Sequence, residues 1–127
     1  MFELTIQAEF EAAHNLCNYQ GKCHRLHGHN WKVEVTVRGF ELDELGMVID
    51  FTVLKAEVKT IIDRLDHYYL NELPAFETKN PTAENIAKYI YDELVTPLEA
   101  KQVQIYEVKV WESPRSAVAY RQERNHG

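Results

Sequence analysis

No apolar run in this sequence approaches the length of about 18 residues that a membrane-spanning helix needs. A secretory leader is also missing from the first residues, because Glu3, Glu9 and Glu11 stand where such a leader would be basic and then apolar. Both absences point to a cytoplasmic protein. Basic side chains are outnumbered, 14 Lys and Arg against 20 Asp and Glu, and they are scattered rather than clustered. The resulting formal net charge of -6 leaves no basic stripe, which argues against a nucleic-acid partner and confines any phosphate binding to a local contact. Cysteine is scarce. Cys17 and Cys23 are near enough in sequence to invite a bridge, but a reducing compartment and nearby metal-binding side chains favour free thiols. Repeats, low-complexity tracts and linkers are lacking, so residues 1–127 read as a single domain. A chain of this length buries about two thirds of its unfolded surface and needs neither a disulfide nor a structural metal to fold. A bound metal would therefore be free to serve chemistry.

What is present is a clean period of two. Phe2, Leu4, Ile6, Ala8, Phe10 and Ala12 fall on one face of an expected strand, Glu3, Thr5, Gln7, Glu9 and Glu11 on the other, and His14 continues the apolar series. Residues 27–37 repeat the pattern, with His27 and His29 leading into Trp31, Val33, Val35 and Val37, while Lys32, Glu34, Thr36 and Arg38 face away. If these strands pair antiparallel, the end of the first meets the start of the second. Three imidazoles then converge at one edge of the core.

A helix follows, capped by Asp50 or Thr52 and carrying Leu54, Val58, Ile61, Ile62 and Leu65 at helical spacing. Asn80, Pro81 and Thr82 signal a second helix, with the proline suited to the first helical position, Glu84 in the first turn and Pro97 as the stop. Residues 103–112 and 116–122 read as two more strands joined at Ser113, Pro114 and Arg115. The order ββααββ predicts an α+β fold, a four-stranded antiparallel sheet with two helices on one face. In the third strand Tyr106, Val108 and Val110 alternate toward Glu112, with a slip of parity between Ile105 and Tyr106 that leaves room for a bulge. A carboxylate on a buried face is costly unless paired, so Glu112 is expected to meet a cation or accept hydrogen bonds from a ligand.

Histidines two apart on a strand point the same way, as chelation of one ion demands. The alternative is three core histidines bonded to backbone, but the independent placement of His14 by strand parity favours a metal. Three imidazoles without an added carboxylate favour zinc with an open fourth position, which is the arrangement of a catalytic site. Cys23 is open to three roles: fourth zinc ligand, catalytic thiolate or inert thiol. Lys22, His24, Arg25 and the metal favour the thiolate. Asp66 beside His67 suits an acid and base relay, and equally a histidine that complements a helix dipole. Tyr68, Tyr69, Tyr89, Tyr91 and Tyr106 could stack on a ring or be ordinary boundary residues.

These residues resemble a known family. CHRLHGH at 23–29, FEAAH ending at His14, MVIDF at 47–51, LDHYYLN at 65–71, NPTAENIA at 80–87 and the strand ending in Glu112 closely resemble the 6-pyruvoyltetrahydropterin synthase family. The resemblance runs from about residue 5 to residue 123. Three residues between the cysteine and the HGH triplet is the spacing typical of its 6-carboxy-5,6,7,8-tetrahydropterin synthase branch, which serves queuosine biosynthesis; the animal pyruvoyl enzymes usually have five.

The resemblance implies the tunnelling fold, in which sheets join edge to edge, the active site lies between subunits, and stacked trimers form a homohexamer. It implies zinc held by His14, His27 and His29, a thiol base at Cys23 and a relay at Asp66 and His67. Glu112 is implied as the pterin anchor, and Thr82 and Glu84 match positions that help hold the pterin, with helix capping as their competing role. The implied reaction converts 7,8-dihydroneopterin triphosphate to 6-carboxytetrahydropterin, triphosphate and acetaldehyde, without a redox cofactor. Lys22 and Arg25 are candidate phosphate contacts or an exposed loop. A pyruvoyl-type synthase is the nearest alternative. A cupin-like metal-binding protein, suggested by Gly21, His27, His29 and Glu34, is disfavoured because Glu34 falls on the face opposite the histidines.

Overall fold

The computed structural model describes residues 1–18 and 25–122. Strands β1 (Phe2–His14) and β2 (His27–Gly39) pair antiparallel in a register that sets Phe10 against Trp31, Ala12 against His29 and His14 against His27. The two periods of two are therefore in phase. Ile6, Phe10, Ala12, Trp31, Val33, Val35 and Val37 are buried on one face. On the other, cross-strand partners join in polar pairs: Thr5 to Thr36 at 2.8 Å, Gln7 Nε2 to Glu34 at 3.1 Å and Arg38 Nε to Glu3 at 2.7 Å. The last residue of β2 is glycine, Gly39, where a Cβ would run into Cγ1 of Val48.

Helix α1 (Phe51–Ile62) is capped by Asp50, whose carboxylate accepts the Thr52 N–H at 2.7 Å. Its stripe Leu54, Val58, Ile61 and Ile62 is buried, and α1 packs over β1. Helix α2 (Ala83–Glu99) packs over β3 (Gln104–Ser113) and β4 (Ser116–Tyr120) through Ile86, Ala87, Ile90, Leu94 and Leu98. The sheet runs β1-β2-β3-β4, antiparallel throughout, so the expected α+β architecture is present. None of the described helices is long and apolar enough to cross a membrane.

Both prolines of α2 sit differently from expectation. Thr82 is the N-cap, accepting the Asn85 N–H at 3.1 Å, which leaves Pro81 one residue outside the helix. Pro97 lies inside the helix, whose last turn persists to Glu99 because it carries the fully buried Leu98. A proline there removes one donor without unseating that turn.

Strand β3 contains two irregularities. Thr36 pairs with Glu107 and Val37 with Ile105, so Tyr106 is an extra residue opposite β2. This bulge turns Tyr106 away from Val108 and Val110, correcting the expected shared face, and stacks it between Arg38 and Arg121, whose guanidinium carbons lie 3.2 and 4.9 Å from its ring centre. At the other end Trp111 pairs with Ala117 and Ser113 with Ser116, which leaves Glu112 unpaired against β4. The β2 ladder has already ended at Lys32 opposite Trp111. Glu112 is thus unpaired with either neighbouring strand, and its carboxylate lies beside His14 and His29.

Candidate metal centre

The site is built on a tryptophan floor. Trp31 is fully buried, stacks on Phe10 with ring centres 5.9 Å apart, and donates its indole N–H to the Ala12 carbonyl at 3.3 Å. His14 and His29 meet its ring edge-on, with centres 4.9 and 5.2 Å away. His14, His27 and His29 then lie 4.5 to 5.0 Å apart by ring centre. The predicted convergence of three imidazoles is what the strand register produces.

Two carbonyls set the rings. His14 Nδ1–H donates to Pro81 O at 2.8 Å and His27 Nδ1–H donates to Arg25 O at 3.0 Å, since a carbonyl can only accept. In neutral imidazoles a proton on Nδ1 leaves the lone pair on Nε2, and the two Nε2 atoms face each other only 3.1 Å apart. Two lone pairs at that distance repel unless a cation lies between them. His29 Nε2 is buried with no hydrogen-bond partner, and Glu112 Oε1 comes within 3.3 Å of it and 3.8 Å of His14 Nε2. One donor atom from each of these four residues lies within 4.8 Å of all the others. Donors 2.0 to 2.1 Å from a tetrahedral zinc are about 3.3 Å from one another, so these spacings fit such an ion. Burial lowers the pKa of His29, aided by His14 and His27 and opposed by Glu112. That favours the neutral, ligating form of the ring. Side-chain exposure rises from 2% at His14 through 24% at His29 to 40% at Glu112, and His27 is exposed as well, so the cluster opens to solvent past His27 and Glu112.

The other predicted residues are spread around this centre. Asp66 and His67 do pair, with Nδ1 and Oδ1 3.0 Å apart, beyond the end of α1. They dock on the free edge of β1: Glu11 N–H donates to Asp66 Oδ1 at 2.9 Å, and His67 N–H, from a left-handed backbone with φ 63°, donates to Glu11 O at 2.6 Å. The Glu11 N–H is the largest cause, ahead of His67, of an Asp66 pKa below the usual carboxylate value. The His67 ring leans toward the Glu11 carboxylate, 3.6 Å away, on the face opposite the three histidines. It is not among the four clustered donors. A groove of about 490 Å³ beside His67 is bounded by Glu11, Gly28, His29, Asn30 and Tyr68.

Thr82 fills the capping role, and Glu84 is exposed in the first turn of α2. Arg25 contributes its carbonyl to His27. Cys23 and Lys22 lie outside the described residues, as does Gly21. Cys17 is disulfide-bonded, which corrects the expectation of free thiols. The cupin-like alternative fails on geometry, because Glu34 faces away, bonded to Gln7 and 3.7 Å from Lys32. Three contributors escaped the sequence reading: the Pro81 and Arg25 carbonyls and the Trp31 floor. Only Pro81 had a legible signal, its place in the helix-start motif.

Fold and site together define an α+β protein whose sheet presents a preorganised three-histidine centre with a carboxylate at its mouth. The profile of the 6-pyruvoyl tetrahydropterin synthase family matches residues 3–123. A 6-carboxy-5,6,7,8-tetrahydropterin synthase of Synechocystis is 43% identical over 87% of this chain and 86% of its own length. A 6-pyruvoyl tetrahydrobiopterin synthase of Drosophila melanogaster is 38% identical over 93% and 78% respectively. The solved 6-pyruvoyl tetrahydropterin synthase of Caenorhabditis elegans superposes with a TM-score of 0.84 at 30% identity, covering 96% of each chain. The chain belongs to the 6-pyruvoyl tetrahydropterin synthase family.

Proposed function

We propose that this protein is a zinc-dependent 6-carboxy-5,6,7,8-tetrahydropterin synthase. It takes 7,8-dihydroneopterin triphosphate and water to 6-carboxytetrahydropterin, triphosphate and acetaldehyde, in the cytoplasmic route to queuosine. The observation that carries this reading is the pair of Nε2 atoms of His14 and His27 facing each other at 3.1 Å beside the orphaned Nε2 of His29, within a family of pterin synthases. The relative at 43% identity bears the carboxy name, and the spacing of Cys23 from His27 agrees with it.

In this reading His14, His27 and His29 hold the zinc. Bound there, the ion supplies Lewis acidity toward the side-chain hydroxyls of the substrate. Glu112 accepts two charge-assisted hydrogen bonds from the aminopyrimidinone edge of the pterin, which fixes the ring next to the imidazoles. Thr82 and Glu84 help to hold the ring. Cys23 takes a proton from the substrate side chain, and the Asp66 carboxylate orients His67 to return one. The pterin ring takes up the reducing equivalents of the side-chain oxidation, so no external redox cofactor is required. Cys23 serves this role as a thiol. Because His67 leans away from its own chain's imidazoles, its relay role calls for a second copy of the chain. That agrees with an active site between subunits of a hexamer built from edge-to-edge sheets.

The pyruvoyl reaction is the second reading, favoured by the Drosophila relative. Zinc-loaded, reduced protein incubated with dihydroneopterin triphosphate is expected to release acetaldehyde and 6-carboxytetrahydropterin, resolved by mass. A pyruvoyl product without acetaldehyde selects the second reading, and unconsumed substrate overturns both.

A further inference from the structure

The chain that leaves β1 after His14 is fastened by two asparagine side chains. Asn71 accepts the Asn15 N–H at 2.9 Å and donates Nδ2 to the Asn15 carbonyl at 2.8 Å. Asn80 repeats the arrangement on Cys17, accepting its N–H at 2.8 Å and donating to its carbonyl at 2.7 Å. The backbone of Asn80 is held as well, because its carbonyl accepts Asn85 Nδ2 at 2.7 Å from the first turn of α2. The next carbonyl along, that of buried Pro81, is the one that accepts His14 Nδ1–H. A residue before proline is confined to extended backbone and the proline ring fixes its own φ. Asn80, pinned at its side chain and its carbonyl, fixes one end of Pro81, and Thr82, held as the N-cap of α2, fixes the other, so that together they aim the Pro81 carbonyl. A primary amide answers one residue's N–H and C=O together, whereas a carboxylate can only accept.

We propose that Asn80 is a positioning residue for the metal centre, acting through Pro81 to hold the His14 ring in the tautomer that turns the Nε2 lone pair toward the ion. The proposal rests on the three imidazoles being metal ligands, and it does not depend on which pterin reaction follows. Asn80→Asp keeps the shape and the acceptor but loses the donor; Asn80→Ala loses both. Zinc affinity is measured by chelator competition on the folded, reduced protein, with the melting temperature followed in parallel.

By the usual effect of removing a partner that orients a metal ligand, zinc affinity falls about 10-fold in Asn80→Asp and up to about 100-fold in Asn80→Ala. In a His14→Ala background Asn80→Asp leaves the residual zinc affinity unchanged, because the route through His14 is gone. A residue that only stabilised the fold would lower the melting temperature and leave the zinc affinity of folded protein alone. Unaltered zinc affinity in folded Asn80→Asp, or an equal loss in the His14→Ala background, overturns the proposal. Should Asn80→Ala not fold, the isosteric Asn80→Asp decides. Absence of zinc binding by the unaltered protein overturns the metal reading itself, and with it this inference.

Discussion

Glu112→Gln separates the pterin-anchor role proposed for this carboxylate from the metal-ligand role that its position also allows. Oε1 stands 3.3 Å from His29 Nε2 and 3.8 Å from His14 Nε2, close enough for a fourth metal donor, while 40% of the side chain remains exposed at the mouth, as an anchor for a pterin edge requires. Glutamine keeps the length and one acceptor oxygen, and sets an NH2 group against a donor of the ring. A hydrogen bond to a charged group contributes about 1.5 to 3 kcal/mol, and partial exposure argues for the lower half of that range. A loss of about 1.5 to 2 kcal/mol corresponds to roughly 10- to 30-fold weaker pterin binding. Calorimetry with a pterin that carries no leaving group gives that number, and chelator competition gives the zinc affinity of the same variant. The expected result is weaker pterin binding with zinc retained. Unchanged pterin affinity together with a loss of zinc would refute the anchor and make Glu112 a ligand.

With reductant present, Cys23→Ala is expected to retain zinc by elemental analysis and lose turnover, whereas His27→Ala loses both; turnover in Cys23→Ala would remove the base. Thr82→Ala deletes the cap of α2 and should cost about 1 kcal/mol, with Thr82→Ser restoring it in thermal melts. If Thr82→Ser also restores turnover, the hydroxyl serves the site through the cap. The Asp66 carboxyl, held below its unfolded pKa by the Glu11 N–H and then by His67, stabilises the fold above the usual carboxylate pKa, and that contribution disappears as pH falls through the folded value. Asp66→Asn should therefore flatten the acid side of a plot of melting temperature against pH. An unchanged acid limb would show that the pairing contributes nothing.

Strand parity was enough to bring His14, His27 and His29 together, because side chains alternate across a strand whatever surrounds it. Helical spacing likewise placed Leu54, Val58, Ile86 and Ile90 in the core. Parity misled at Tyr106, where an inserted residue reverses the face, and no local signal says which side chain a bulge turns outward. Pro97 misled for a related reason, since the burial of Leu98 outweighed the missing donor.

The order of elements, the apolar faces and the identity of the clustered histidines follow from sequence alone, because periodicity is a property of the backbone. Tertiary structure alone decided the rest. The Pro81 and Arg25 carbonyls reach the imidazoles, Trp31 becomes a floor, and the Asp66–His67 pair docks on the free edge of β1. These contacts join residues up to 67 positions apart, such as His14 and Pro81, whose meeting depends on how helices and sheet pack and leaves no periodic trace in the chain.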